Sequence, residues 1–220
     1  AFLDVDDIWK RDKLNNQVKE FENDKKLGLS FTNSLYFSIK NKEYLYKEDR
    51  KFELNTKSLI KDYCISLNSV MIDINKIKKL DYDFDANYNH ICDFDLIIRL
   101  SSIGKVKYLN KVLSGWRIHG NNESFKRREI FNIETEQWCD FHLKNTYLSK
   151  YKKEISELRM LTLAEKRILK SKFSIFSFKK IDLISVSGFR KKLFIIFSYL
   201  PLLPRIIYKI KGYLFKLKWF

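Results

Sequence analysis

The first part of the chain alternates between stretches in which apolar residues have strand-like and helix-like spacing. The apolar start "AFLDV" predicts the end of a buried strand, and Leu14, Val18 and Phe21 then recur at helical spacing through "KRDKLNNQVKEFEND". "LGLSFTNSLYFSI" alternates as a strand does, and "LNTKSLIKDYC" is typical of a short helix. "ISLNSVMIDI" predicts another strand, followed by the helix "NKIKKL". Alternating strands and helices favour a three-layer α/β domain.

The next part of the chain begins with a polar, aromatic loop and ends in helices. "DYDFDANYNHI" predicts the loop, and "DFDLIIRLSSIG" predicts a helix that ends at Gly104. A strand follows in "KVKYLNKVLSGWRIHG" and ends near His119. From residue 121 to about 171 the pattern is helical and strongly charged. We therefore predict a folded domain at residues 1–150 and a helical extension at 151–220.

Charge separates these two parts of the chain. Residues 150–220 contain 18 Lys and Arg against 4 Asp and Glu, whereas residues 1–149 contain 25 against 23. The apolar run Leu193–Leu203 has 11 residues, fewer than the ~20 that span a bilayer. Basic residues interleaved with Phe, Tyr and Trp are typical of a segment in the interface of an anionic membrane. The alternative is a helix packed back onto the domain.

The carboxylates of Asp4, Asp6 and Asp7 cluster where the first apolar residues give way to a helix. Burying unpaired carboxylates is costly, so the cluster needs a counter-charge. Ligands bind at the carboxyl ends of strands in open α/β sheets, and residues two apart in an extended chain share a face. Asp4 and Asp6 are therefore candidate ligands of Mg²⁺ or Mn²⁺, metals that also bind substrate phosphates. The alternative for Asp7 is a helix cap.

These residues carry a resemblance to a known family. "FLDVDDIWKRDKLNNQVKEFE" resembles the metal-binding stretch of GT-A-fold, family 2 inverting glycosyltransferases, which commonly have Leu-Asp-x-Asp-Asp-x-Trp followed by Asp-Lys-Leu. "CDFDLIIRL" is similar to that family's Glu-Asp-aromatic-Asp-Leu helix start, with Cys92 in place of Glu. "GKVKYLNKVLSGWRIHGNNES" is similar to its closing strand, with aromatic-Arg-x-His. The resemblance implies a GT-A fold, which is Rossmann-like and has three layers.

The resemblance also implies an activity and roles for residues. The activity is metal-dependent transfer of a sugar from a nucleotide-diphosphate sugar to a hydroxyl of a glycan or lipid-linked acceptor. Asp6 and His119 would bind Mn²⁺ or Mg²⁺, Asp4 would contact the metal or the ribose, and Asp7 would support the turn. Asp93 would be the general base, kept ionised by the helix dipole. The alternatives are a surface position for His119 and a helix cap for Asp93.

Other residues are candidates for substrate contact. Trp9 and Trp116 have faces that suit a sugar ring, although Trp more often packs in a core. Asn68 and Ser69 match a family segment near the acceptor, although buried strand residues would have the same pattern. The predicted substrate-binding residues are Asp7, Trp9, Asn68, Ser69, Asp95, Trp116 and Arg117.

A complete member of this family begins with a Rossmann-like nucleotide-binding half, and we find no counterpart of it in this sequence. We therefore expect an N-terminally truncated fragment that is inactive alone. The expected setting is cell-surface polysaccharide biosynthesis at the inner face of the cytoplasmic membrane. The three cysteines are odd in number and widely spaced, which fits a reduced compartment with free thiols. Two alternatives stay open, a basic nucleic-acid-binding module and an inactive scaffold. The near-neutral residues 1–149 argue against nucleic acid as a partner.

Overall fold

The structure is a computed structural model, which describes residues 1–47, 51–144, 146–170, 186–199, 206, 207, 209–212, 214 and 218. Two compact units follow one another, Ala1–Asn122 and Glu123–Lys218. The first unit thus ends earlier than the boundary expected at residue 150. The division of function between residues 1–150 and 151–220 stays a prediction.

A mixed sheet forms the centre of the first unit. Its strands are β1 (Ile8–Trp9), β2 (Leu27–Phe37), β3 (Lys42–Tyr44), β4 (Met71–Ile72) and β5 (Lys105–Arg117). The order is β1-β5-β2-β3, and β4 also pairs with β2. Only β2 and β5 run parallel among these strands. The helices of this unit are α1 (Lys13–Asn23), α2 (Thr56–Lys61), α3 (Ile74–Ile77) and α4 (Cys92–Ser101). The α/β class is confirmed, and the open sheet is consistent with a Rossmann-like fold, while the GT-A assignment stays a prediction.

Strand β2 is the central strand of this sheet. The strand was predicted from its alternation, and every residue from Leu27 to Ser34 is buried. The strand pairs with β5 on one side and with β3 and β4 on the other, and both α1 and α4 contact it. Because both faces are covered, its polar residues Ser30, Thr32 and Asn33 lie inside the protein.

Helix α1 turns a different face inward from the one that its apolar spacing predicted. Leu14 and Val18 are 45% and 44% exposed, whereas Lys13 and Gln17 are fully buried. The Lys13 Nζ donates to Gln17 Oε1 at 2.7 Å, and Gln17 Nε2 donates to the Ser30 hydroxyl at 3.0 Å. The inner face is therefore a polar network that ties α1 to β2.

Two predicted strands near the site are largely replaced by turns. The start "AFLDV" is irregular, and the first strand begins only at Ile8. In the segment predicted as a strand at 65–74, Leu67–Ser69 forms a 3₁₀ turn and only Met71–Ile72 is extended in the sheet. The turn is closed by a hydrogen bond from Ser69 N to the Ser66 carbonyl at 3.0 Å, so these residues use turn bonds in place of strand pairing.

Helix α4 ends at Ser101, three residues before the end predicted at Gly104. The Gly104 N–H donates to the Leu100 carbonyl at 3.0 Å, and the chain then enters β5. A Cβ on Gly104 would lie 2.8 Å from the Cα of Gly28, which is in β2. Glycine at both positions allows this close approach of two backbones where β2 begins to pair with β5.

The second unit is helical in its described residues. Its helices are α5 (Glu123–Lys126), α6 (Arg128–His142), α7 (Lys152–Lys170) and α8 (Phe189–Phe197). The Arg159 Nε donates to Asp140 Oδ1 at 2.6 Å, joining α7 to α6. The buried Glu157 accepts from Lys191 Nζ at 2.8 Å and from Ser187 N at 3.1 Å, so α7 is also tied to the start of α8. Among the described helices, none combines the length and the apolarity needed to cross a membrane. The predicted run Leu193–Leu203 lies partly outside the described residues.

Candidate active site

Asp6 and His119 meet at one edge of the sheet. Strands β1 and β5 are antiparallel with Ile8 opposite Gly115, so the residues before β1 and after β5 come together. The Asp6 Oδ2 and the His119 Nε2 lie 2.6 Å apart although they are 113 positions apart in sequence. This hydrogen bond lowers the pKa of Asp6, because it stabilises the carboxylate form. Two of the predicted metal ligands are thus neighbours.

The residues around His119 hold its ring in place. His119 N donates to Asn122 Oδ1 at 2.7 Å, and Asn122 Nδ2 donates to the Arg117 carbonyl at 3.1 Å. The N–H of Asn121 donates to His119 Nδ1 at 3.1 Å, so in the neutral ring Nε2 carries the proton that faces Asp6. The exposed Arg117 donates from Nε to the Asp6 carbonyl at 2.9 Å. This edge therefore combines a carboxylate, an imidazole and a guanidinium.

Asp7 supports the turn rather than facing outward. Its Oδ1 accepts from Arg117 N at 3.0 Å and its Oδ2 accepts from Asn68 Nδ2 at 2.8 Å. Burial raises the pKa of Asp7, and the negative charges of Asp6 and Asp4 add to this. Because protein donors engage both oxygens, the geometry agrees with the supporting role and argues against the predicted substrate contact of Asp7.

The residues just before β4 are buried and form hydrogen bonds inside the site. Asn68 is 3% exposed, and its Oδ1 accepts from the Ser66 hydroxyl at 3.0 Å, while its backbone carbonyl accepts from Trp9 Nε1 at 2.7 Å. Ser69 has no exposed surface and donates from Oγ to the Ser66 carbonyl at 2.6 Å. Burial of both side chains argues against the predicted acceptor contacts of Asn68 and Ser69.

The two tryptophans of the site are half-buried and packed by protein groups. The Nζ of Lys13 lies 4.3 Å from the centre of the Trp9 ring, a cation–π arrangement. The ring of Trp116 packs edge-on against Tyr36, with centroids 4.8 Å apart. Stacking of either Trp9 or Trp116 on a sugar stays a prediction.

At the start of α4, Asp93 and Asp95 differ in exposure. Asp93 is half-buried, and burial raises its pKa, with a further contribution from the negative charge of Asp4. The expected effect of the helix dipole is thus outweighed by desolvation. Asp95 has no exposed surface and accepts from Arg99 Nε at 2.8 Å, while Arg99 also donates to the Tyr82 carbonyl at 2.6 Å. This burial corrects the predicted substrate contact of Asp95, which instead anchors the preceding loop through Arg99.

The donor set partly fits a divalent cation. Asp6 and His119 supply a carboxylate and an imidazole, which Mn²⁺ accepts, and a metal on Nε2 would require the His119 proton to leave that nitrogen. The part of the chain that the structure describes holds no group of three His, Cys, Asp or Glu side chains placed for a metal ion. Asp4 is exposed and does not complete such a group with the pair. The metal stays a prediction.

Sequence patterns missed several residues that hold the site together. The hydroxyls of Ser34 and Ser114 lie 2.9 Å apart and link β2 to β5, and Ser34 also donates to Asn68 Oδ1 at 3.3 Å. Lys13 and Gln17 link α1 to the same region. The available signal was the polar run Thr-Asn-Ser inside a mostly apolar strand, because buried polar residues require partners.

Comparison with known proteins gives two relevant similarities. No family profile matches the chain. The chain is 24% identical over 223 residues to the chondroitin synthase of Pasteurella multocida (strain Pm70), an alignment that covers 90% of this chain and 22% of that protein. It is 28% identical over 132 residues to the hyaluronan synthase of Pasteurella multocida, covering 58% of this chain and 13% of that protein. The chain therefore spans less than a quarter of the length of either relative.

Proposed function

We propose that this chain carries the metal-binding and acceptor side of an inverting glycosyltransferase of family 2 with the GT-A fold. Its reaction moves a sugar from a nucleotide-diphosphate sugar to a hydroxyl of a glycan or lipid-linked acceptor. The observation that carries the proposal is the Asp6–His119 pair, which β1 and β5 bring together over 113 positions. Its similarity to two polysaccharide synthases supports the same class.

The donor side of the proposed site is the sheet edge with Asp6, His119 and Arg117. Asp6 and His119 would hold Mn²⁺ or Mg²⁺, which when bound offsets the negative charge of the leaving diphosphate. Arg117 is exposed and donates to the Asp6 carbonyl, so its guanidinium supplies positive charge for a phosphate at this edge. Asp4, which is exposed, is the candidate for a further contact with the metal or the ribose.

The acceptor side of the proposed site is the start of α4. Asp93 is half-buried there, and its raised pKa brings the carboxyl closer to the range in which a general base works well. The acceptor hydroxyl forms a bond to the anomeric carbon as its proton passes to Asp93. The bond from that carbon to the diphosphate oxygen breaks on the opposite face, which inverts the configuration.

We also propose that the second unit holds the enzyme at the inner face of the cytoplasmic membrane, near a glycan acceptor for cell-surface polysaccharide. Phe189, in the first turn of α8, is 75% exposed. Further along, the exposed apolar side chains are Ile206, Ile207, Ile210 and Leu214. Apolar side chains among many Lys and Arg suit an anionic lipid surface.

The activity is tested with Asp6→Asn and Asp93→Asn in the full-length protein encoded by the gene. Nucleotide-diphosphate sugars are tried one by one, with hyaluronan and chondroitin oligosaccharides as acceptors, with Mn²⁺ or with EDTA. We expect each variant to lose transfer by about 100-fold or more, as for loss of a metal ligand or a general base. Asp81→Asn, which makes the same change at an exposed loop position, is the control.

Two results would contradict this assignment. Wild-type turnover in Asp93→Asn would exclude Asp93 as the base, and transfer unaffected by EDTA would exclude the metal. Membrane association is tested by sedimentation with anionic and neutral vesicles beside a salt-titrated DNA gel shift. We expect binding to anionic vesicles only, whereas strong binding to DNA without lipid binding would favour a nucleic-acid partner.

A further inference from the structure

Tyr63 has a buried hydroxyl, and its ring contacts the residue that follows the proposed general base. Among the described residues, no group lies within hydrogen-bonding distance of the Tyr63 hydroxyl in a suitable orientation. Its ring packs edge-on against Phe94, the neighbour of Asp93, with centroids 5.1 Å apart. Leaving a buried hydroxyl without a hydrogen bond costs free energy, so such a group calls for an explanation, and a catalytic role is one of them.

The surroundings of this hydroxyl point to one acceptor. Burial raises the pKa of Tyr63, and the negative charge of Asp93 is the next largest cause, ahead of Cys64 and Cys92. The Cys64 carbonyl already accepts from the Tyr46 hydroxyl. A carboxylate accepts a stronger hydrogen bond than a thiol does. Among the groups whose charge raises this pKa, the Asp93 carboxylate is therefore the strongest acceptor.

We propose that Tyr63 is a positioning residue for Asp93, donating a hydrogen bond to the Asp93 carboxylate when the acceptor glycan is bound. This inference rests on the proposed function. In the loaded site one carboxylate oxygen accepts from Tyr63, and the other faces the acceptor hydroxyl. Tyr63 keeps its proton throughout, while Asp93 receives the proton of the acceptor. The edge contact with Phe94 fixes the direction of the Tyr63 ring.

The test is Tyr63→Phe in the full-length protein, because this change keeps the ring and its contact with Phe94 and removes only the hydroxyl. We expect kcat to fall roughly 10- to 100-fold, the effect of losing a hydrogen bond to a charged group, with the KM of donor and oligosaccharide acceptor changed less than about twofold. The melting temperature should stay the same or rise, because an unsatisfied buried group is removed. Tyr44→Phe, at a position 61% exposed in β3, is the matched control and should change neither quantity.

A double mutant separates this role from a purely structural one. In the Asp93→Asn background, Tyr63→Phe should cause no further loss of transfer, because the hydroxyl acts through Asp93. Unchanged kcat in Tyr63→Phe, a further loss in the double mutant, or a lower melting temperature that accompanies the loss of activity would overturn the inference. If Asp93→Asn is inactive and Tyr63→Phe is fully active, only this inference fails. If Asp93→Asn is fully active, the proposed function fails instead.

Discussion

The acidic motif before β1 and the acidic motif that opens α4 divide their carboxylates in a similar way. In each motif one carboxylate is enclosed by protein donors, Asp7 in the first and Asp95 in the second. A second carboxylate keeps some exposure, Asp6 in the first motif, where Asp4 is exposed as well, and Asp93 in the second. The enclosed residue holds the backbone through its hydrogen bonds, and the partly exposed neighbour is the one to which we assign chemistry.

The two partly exposed carboxylates differ in their electrostatics. Hydrogen bonding to His119 lowers the pKa of Asp6, whereas burial raises the pKa of Asp93. A carboxylate that stays ionised suits a cation ligand, and one nearer to neutrality suits a proton acceptor. The surroundings thus shift the pKa of the same residue type in opposite directions, as the two proposed roles require.

The helices that follow these motifs also differ. Helix α1 buries Lys13 against the neutral Gln17, and α4 buries Arg99 against Asp95, each pair being four residues apart. In α4 the buried cation therefore has a carboxylate partner four residues before it. In α1 the partner of Lys13 lies four residues after it and is a neutral amide, Gln17.

The largest expected effect comes from breaking the buried pair of α4. Asp95→Asn leaves the Arg99 guanidinium buried without its counter-charge, so we expect a loss of about 3–5 kcal/mol in the free energy of unfolding. Asp93→Asn, two positions away, should change stability little because, among the described residues, Asp93 belongs to no ion pair. Urea unfolding of both variants measures the contrast. Equal stability of the two would contradict the division of roles within the second motif.

The substitution Lys13→Met tests the comparison of the two helices through the pH dependence of the free energy of unfolding. Burial lowers the pKa of Lys13 from 10.5 to about 8, so the fold disfavours the charged form. The stability associated with Lys13 is fully present above pH 10.5 and is lost as pH falls toward 8. We therefore expect Lys13→Met to exceed the wild type in stability at pH 7 by up to about 3 kcal/mol, less the lost hydrogen bond to Gln17, with the gain vanishing near pH 11.

The measurement is the free energy of unfolding from pH 7 to 11 for the wild type, for Lys13→Met and for Lys19→Met. Lys19 is exposed on the same helix and provides the matched change. If the difference in the free energy of unfolding between the wild type and Lys13→Met does not vary with pH, the fold does not lower the pKa of Lys13, and the prediction is wrong.

The smallest expected effect separates Asp7 from Asp6. An Asn at position 7 has one acceptor oxygen for the two donors, Arg117 N and Asn68 Nδ2, so we expect Asp7→Asn to lose about 1–2 kcal/mol of stability. Asp6→Asn should lose less, because its side chain is 36% exposed and water can replace the bond to His119. Thermal unfolding of the two variants tests this. If Asp6→Asn destabilises the protein more than Asp7→Asn does, the structural role that we assign to Asp7 would belong to Asp6 instead.

The sequence by itself predicted the elements that depend on neighbouring residues. β2, β5 and α4 were found from periodicity, and Gly104 marked a helix end to within three residues, because these features arise from local spacing and backbone freedom. The acidic turn was located as well. Periodicity failed for the inner face of α1, since burial of Lys13 and Gln17 depends on partners from β2 and the segment before β4.

Only the tertiary structure decided which members of each acidic motif are enclosed. The carboxylate of Asp7 accepts hydrogen bonds because β5 and the turn at Leu67–Ser69 bring donors to it. The carboxylate of Asp95 accepts one because Arg99 lies one helical turn away on the buried face. The pairing of Asp6 with His119 depends on the antiparallel register of β1 and β5. A one-dimensional pattern can name the acidic residues, but burial and partners distant in sequence determine their roles, because desolvation and hydrogen bonding depend on distance in space.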